Sequence, residues 1–113
     1  MDASLPVLNR DEALGRLEGD VELWNEIRTI WLEDIGSLMD GVAKALQTQA
    51  TDGLRRAAHA LKGASANVGA TRVAAVAKQI ELASVSGDWA SLTNFVANLA
   101  SEVDEAKRQL GEA

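Results

Sequence analysis

Cysteine and tyrosine are absent from this chain of 113 residues, and proline, histidine and phenylalanine occur once each, as Pro6, His59 and Phe95. Without cysteine there are no disulfides and no thiolate-bound metals, and a reducing compartment is permitted. One histidine leaves no metal cluster with the usual transition-metal ligand spacing. No Ser/His/Asp set, glycine-rich phosphate loop or paired-carboxylate motif can be assembled from what remains. No apolar run reaches the roughly 18 residues that span a bilayer, and Met1-Asp2-Ala3-Ser4 lacks the basic start of a signal peptide. The expectation is a soluble, cytoplasmic protein without membrane contact. A formal net charge of -6 speaks against a nucleic-acid partner, because phosphate binding calls for a broad basic surface.

What is present favours helices. The composition is 47% apolar and rich in alanine, and the length suits one domain over 1–113 with no room for a nucleotide-binding catalytic domain beside it. Residues 1–8 read as an irregular lead-in. Asn9 with Glu12 forms a capping pair for a short helix to about Leu17, which Gly19 breaks. Asp20 caps a long helix to about Gln47, with Ile27, Ile30, Trp31, Leu38, Val42 and Ala45 on one stripe. Gly36 and Gly41 are costly inside it, and Asp34 falls at the core's edge as a hydrogen-bonded carboxylate. Thr51 is placed as the cap of a third helix that ends near Val68 with Gly69 as its stop. Thr71 is placed as the cap of a fourth, with Val73, Ala77, Ile80 and Ser84 inward and Val76 beside them, ended by Ser86-Gly87. Asp88 caps the last helix, where Leu92, Phe95, Val96, Leu99, Val103, Ala106 and Leu110 keep helical spacing. Four amphipathic helices joined by short turns can hide their stripes only against one another. The predicted fold is all-α, an antiparallel four-helix bundle with the short N-terminal helix laid across it.

The third helix carries His59. At about 100° per residue, Leu54, Ala58, Leu61, Ser65 and Val68 share one narrow stripe, and His59 lies well off it, facing water. Arg55, Arg56, Lys62, Gly63 and Ala66 are its neighbours on that face, with no carboxylate among them, so a local positive field surrounds one nucleophile. Spacing alone does not separate a phosphorylatable imidazole from an ordinary solvated histidine among basic neighbours. Ser65, on the buried stripe, reads as structural, its hydroxyl bonding a carbonyl one turn earlier or another helix. Trp24, Trp31 and Trp89 read as core or core-edge residues.

The run His59-x-x-Lys62-Gly63-x-Ser65-x-x-x-Gly69-Ala70 resembles the motif of histidine-containing phosphotransfer (HPt) domains of bacterial phosphorelays. Asp20-Val21-Glu22-Leu23 followed by Ile30-Trp31-Leu32-Glu33-Asp34 resembles that family's preceding helix, with Trp31 where the family has phenylalanine. The resemblance implies that His59 takes a phosphoryl group from the aspartyl phosphate of one receiver domain and passes it to another. It implies that Lys62 stabilises the phosphoryl group, and Gly63 reads as clearance for a docking partner, with close helix packing as the alternative. Docking would use Arg55, Arg56, Ala58, Lys62, Gly63 and Ala66 with Trp31, Ile35 and Leu38. Partners would be response-regulator receivers or a hybrid sensor kinase. Mg2+ would belong to the receiver, so no cofactor and no metal site are expected on this chain, nor autokinase activity, and a monomer is expected. Two rivals are the dimerisation and phosphoacceptor domain of a sensor kinase, which usually has an acidic residue where this chain has Ala60, and a helical adaptor that is never phosphorylated.

Overall fold

The computed structural model describes residues 5–112, so the first half of the expected lead-in, residues 1–4, lies outside the described residues. Five α-helices follow in order: α1 (Arg10–Arg16), α2 (Val21–Gln47), α3 (Thr51–Val68), α4 (Thr71–Ala83) and α5 (Trp89–Glu112), with a 3-10 turn Ser84–Ser86 between the last two. Among the described residues there is no strand. The connections are too short to let consecutive helices do anything but reverse. The α3 helix packs between α2 and α4, and α5 closes the ring by touching α4 and α2, while α1 lies against α3 and α2.

Local chemistry sets most boundaries where they were expected. Asn9 accepts from the Glu12 N–H at 3.1 Å and Asp20 from the Leu23 N–H at 3.0 Å. Asp88 accepts from the Ser91 N–H at 3.1 Å, which starts α5. The ends of α1, α2 and α3 share one device: a residue in the left-handed region, Glu18, Gln49 or Gly69, lets the next N–H reach back to a carbonyl of the last turn. These closures are Gly19 to Leu14 at 2.8 Å, Ala50 to Ala45 at 2.9 Å and Ala70 to Ser65 at 2.9 Å.

Two cap assignments are corrected. The caps of α3 and α4 are Ala50 and Ala70, with no side-chain cap bond, and Thr51 and Thr71 are already helical. The preceding closures finish one residue early, so the carbonyls of Ala50 and Ala70 accept the first helical bonds, from Leu54 at 2.8 Å and Ala74 at 3.0 Å. Thr71 turns its hydroxyl back to the Gly69 carbonyl instead.

The core confirms the stripes of α3 and α4. On α5, Leu92, Leu99, Val103, Ala106 and Leu110 are buried, with Phe95 and Val96 partly so. On α2 the stripe is rotated: Trp24 and Ile35 are fully inside, whereas Ile30 is 55% exposed. Two indole N–H groups account for the rotation. Trp24 Nε1 donates to the Val68 carbonyl at 3.1 Å and Trp31 Nε1 to Ser65 Oγ at 3.0 Å, so both bulky rings sit inward with their polar atoms satisfied. Ser65 thus bonds another helix, the second of the two roles expected for it. Asp34 is corrected too: it is exposed on the rim of a groove, and its side chain makes no hydrogen bond with the described residues.

Gly69 locks α1 to this frame. The Asn9 N–H donates to the Gly69 carbonyl at 2.8 Å. A Cβ at Gly69 would stand 2.6 Å from the Asn9 carbonyl oxygen. No helix among the described residues is long and apolar enough to cross a membrane.

Candidate functional site

Burial of Leu54, Ala58, Leu61, Ser65 and Val68 fixes the rotation of α3 and turns His59 outward, its side chain 66% exposed. The ring does not stand in a purely positive field, as the neighbours on its own helix suggested. Glu81 of α4 reaches it, with Oε2 at 2.5 Å from His59 Nδ1. The other oxygen of Glu81 accepts from Lys62 Nζ at 2.7 Å. One carboxylate, only 17% exposed, therefore joins the two residues that the motif singled out.

The Lys62 hydrogen bond, foremost, and the His59 contact hold the Glu81 carboxyl below the usual carboxylate range, against an opposing push from partial burial. Glu81 is ionised at neutral pH and can only accept a hydrogen bond. A contact this short then requires the proton of a neutral His59 to sit on Nδ1, which leaves the lone pair of Nε2 pointing to solvent. That is the atom able to attack phosphorus. Lys62 keeps two further N–H donors for an incoming anion while bound to Glu81.

Gly63 lies about one turn beyond His59, and a Cβ there would meet no described atom within 4 Å outside its own helix. Close packing by a neighbouring helix, the alternative explanation of this glycine, is excluded. Arg55 and Arg56 are exposed, Arg55 lying 3.7 Å from Asp52. Ala66 is half-buried, and its carbonyl accepts from Arg16 at 3.1 Å.

Three of the expected docking residues are displaced. Ala58 and Ile35 are buried, at 0% and 1% exposure, and cannot form a contact surface. Ala58 immediately precedes His59 in sequence but points about 100° away, into the core. Trp31 is 3% exposed and committed to Ser65, showing only an edge to the surface. What α2 offers instead is a groove against α3, about 220 Å³, lined by Ile27, Ile30, Trp31, Asp34, Leu38, Ala64 and Asn67. Of the α2 residues expected to dock, Leu38 lines it as a half-buried side chain and Trp31 as a buried one.

Glu81 is the residue that reading along α3 missed. A signal for it was available. The turn Gly69–Ala70 joins α3 to α4, and His59 and Glu81 lie at nearly equal distances before and after it, so antiparallel pairing sets them side by side. Among the described residues, no group of three or more His, Cys, Asp or Glu is placed to hold a metal ion.

A family model described as Hpt domain matches residues 26–109, a span that includes His59, Lys62, Gly63 and Glu81. The crystal structure of histidine-containing phosphotransfer protein B from Pseudomonas aeruginosa PAO1 superposes with a TM-score of 0.84 at 24% identity, over 96% of this chain and 95% of that one. That likeness shows the same fold. No curated protein matches the chain.

Proposed function

Since the chain belongs to the Hpt domain family and its role is histidine phosphotransfer in a phosphorelay, we propose that His59 is its phosphoacceptor and that the group is taken from, and returned to, the aspartates of receiver domains. The observation that carries this reading is the exposed His59 ring with Nδ1 held by an ionised Glu81, which frees Nε2 for attack.

In the forward step Nε2 attacks the phosphorus of an aspartyl phosphate. The new P–N bond forms as the P–O bond to the aspartate breaks, and the carboxylate departs with that electron pair. The charge that spreads over the three equatorial oxygens is met by the Lys62 ammonium. Gly63 leaves the approach beside the ring open, and the groove at Ile27, Ile30 and Leu38 supplies apolar area for the receiver. Arg55 and Arg56 extend the same face. Mg2+ and the acceptor aspartate are the receiver's contribution, and this chain works without a cofactor of its own. It acts in the cytoplasm as a monomer, and it does not phosphorylate itself from ATP.

Incubation with a phosphorylated receiver tests the assignment. Wild-type chain acquires acid-labile label, and His59→Gln acquires none while keeping its helical circular dichroism. Undiminished labelling of the variant would show that the acceptor is elsewhere.

A further inference from the structure

Glu81 divides its two oxygens between Lys62 and the Nδ1 side of His59. The bond to Nδ1 bears on capture of a phosphoryl group, and it bears equally on release. Resting on the reading of His59 as phosphoacceptor, we propose that Glu81 is a positioning residue that sets how readily phosphorylated His59 gives up its phosphoryl group, by keeping a proton on Nδ1.

The leaving group decides the point. When an oxygen of a receiver carboxylate, or of water, attacks the phosphorus on Nε2, a P–O bond forms and the P–N bond breaks, its electron pair returning to Nε2. If Nδ1 carries a proton, what departs is neutral imidazole. If it does not, what departs is the imidazolate anion, a far more basic and poorer leaving group. A phosphorylated ring that also carries the Nδ1 proton is cationic, and an ionised carboxylate in hydrogen-bond contact is the partner that favours this state. The products are a phosphorylated acceptor and a neutral imidazole with its proton still on Nδ1. This is the same tautomer that the contact selects before phosphorylation, so no proton has to move at any stage.

The remaining charges nearest the ring on α3 and α4 are positive and work against such a proton. On α3, Arg55 and Arg56 stand about one turn before His59 and Lys62 about one turn after it. On α4, Lys78 stands about one turn before Glu81 and is exposed. The α2 helix packs on the other flank of α3, where its Lys44 borders Gly53 and Ala57 and its Asp34 borders Ala64 and Asn67. The turn Ser84–Ser86 brings no charge. Among the described residues Glu81 is the carboxylate bonded to the ring, and it is better shielded from water than the ring itself, at 17% against 66% side-chain exposure.

The test uses the full chain phosphorylated with phosphoramidate, a small donor that needs no partner protein. Loss of phosphohistidine is followed by phosphorus NMR across pH for wild type, Glu81→Gln and Glu81→Ala, and Nδ1 protonation is read from nitrogen–proton correlations of the ring. Glu81→Gln keeps a carbonyl acceptor and removes the charge. It is expected to slow hydrolysis at pH 8 by about tenfold, the low end for loss of a charged partner at an exposed site. The pH at which the rate begins to fall should move downward, with Glu81→Ala showing at least as large a change. Equal rates and equal pH profiles in all three chains would overturn the proposal. So would a bare Nδ1 in unphosphorylated wild type at pH 7, a reading that needs neither labelling nor a folded variant. A chain whose lability depends on Glu81 but that exchanges phosphate with no receiver would uphold the proposal and overturn the relay reading instead.

Discussion

Replacing Gly63 separates folding from docking. The residue is helical, exposed and free of neighbours, since a Cβ there meets nothing described within 4 Å outside its own helix. Glycine inside a helix costs about 0.5–1 kcal/mol relative to a good helix former, and here no clash subtracts from the gain. Gly63→Gln should therefore stabilise the chain by about 0.5–1 kcal/mol. With an unfolding entropy near 2.1 cal/mol/K per residue, this corresponds to a rise of about 2–4 °C in the thermal midpoint. The same side chain stands beside His59, where a receiver must bring its aspartate to bonding distance of Nε2. Forcing extra atoms into a fitted contact costs about 1–3 kcal/mol, so transfer from a phosphorylated receiver should fall roughly 5-fold to 150-fold. Gly36 is the matched control. A Cβ there also meets nothing described within 4 Å, and the residue borders the groove between α2 and α5 with Met39 and Ala100, away from α3. Gly36→Gln should gain the same stability and leave transfer unchanged. Thermal melts and single-turnover transfer rates on both variants decide the matter. A midpoint that drops in Gly63→Gln, or transfer at the wild-type rate, refutes the clearance argument.

Lys62→Ala should slow transfer by about 10-fold to 1000-fold, toward the lower end because a side chain 30% exposed is partly screened by water; the folded state should lose no more than about 1 kcal/mol with the Glu81 pair. A wild-type transfer rate in that variant would remove the lysine from the chemistry. Gly69→Ala imposes a Cβ at φ +88°, 2.6 Å from the Asn9 carbonyl, and should cost more than about 2 kcal/mol through backbone strain and loss of the α1 lock; an unchanged urea midpoint would refute this. Glu81 and Asp88 are held below their ordinary values, by Lys62 and Ser91 foremost, and Glu105 is lowered to about 2 by its hydrogen bond to Arg108. A carboxylate with a depressed folded-state value contributes stability above its unfolded value and loses it as pH falls through the folded one. Urea midpoints should therefore be lower at pH 2.5 than at pH 5, modestly, because these groups lie near water; a higher midpoint at pH 2.5 would contradict the sign.

Periodicity sufficed where one helix answered to one stripe. The α3 pattern from Leu54 to Val68 placed His59 on the outer face, and the structure agrees residue by residue. Capping residues with a short polar side chain and a free N–H ahead of them, Asn9, Asp20 and Asp88, were equally legible. Thr51 and Thr71 misled because the left-handed closures at Gln49 and Gly69 end each turn one residue earlier, and those closures consist of backbone bonds that any side chain can accompany. On α2 the stripe was drawn through Ile30, an aliphatic side chain at the right spacing. The bonds of Trp24 and Trp31 to Val68 and Ser65 rotated the helix away from it, exposing Ile30 and burying Ile35.

Sequence by itself determined the all-helical class, the order and extent of the helices, and the position of His59 on a solvent-facing surface. These follow from residue type and from a helical repeat that acts over a few residues at a time. The tertiary structure alone decided what stands opposite that histidine. Glu81 lies 22 positions away, and it meets the ring because α3 and α4 fold back about the turn Gly69–Ala70. The choice of nucleophilic nitrogen, the sharing of Lys62 and the groove beside Trp31 all arise from pairs of helices. A repeat read along one helix cannot specify a charge that a second helix brings to it.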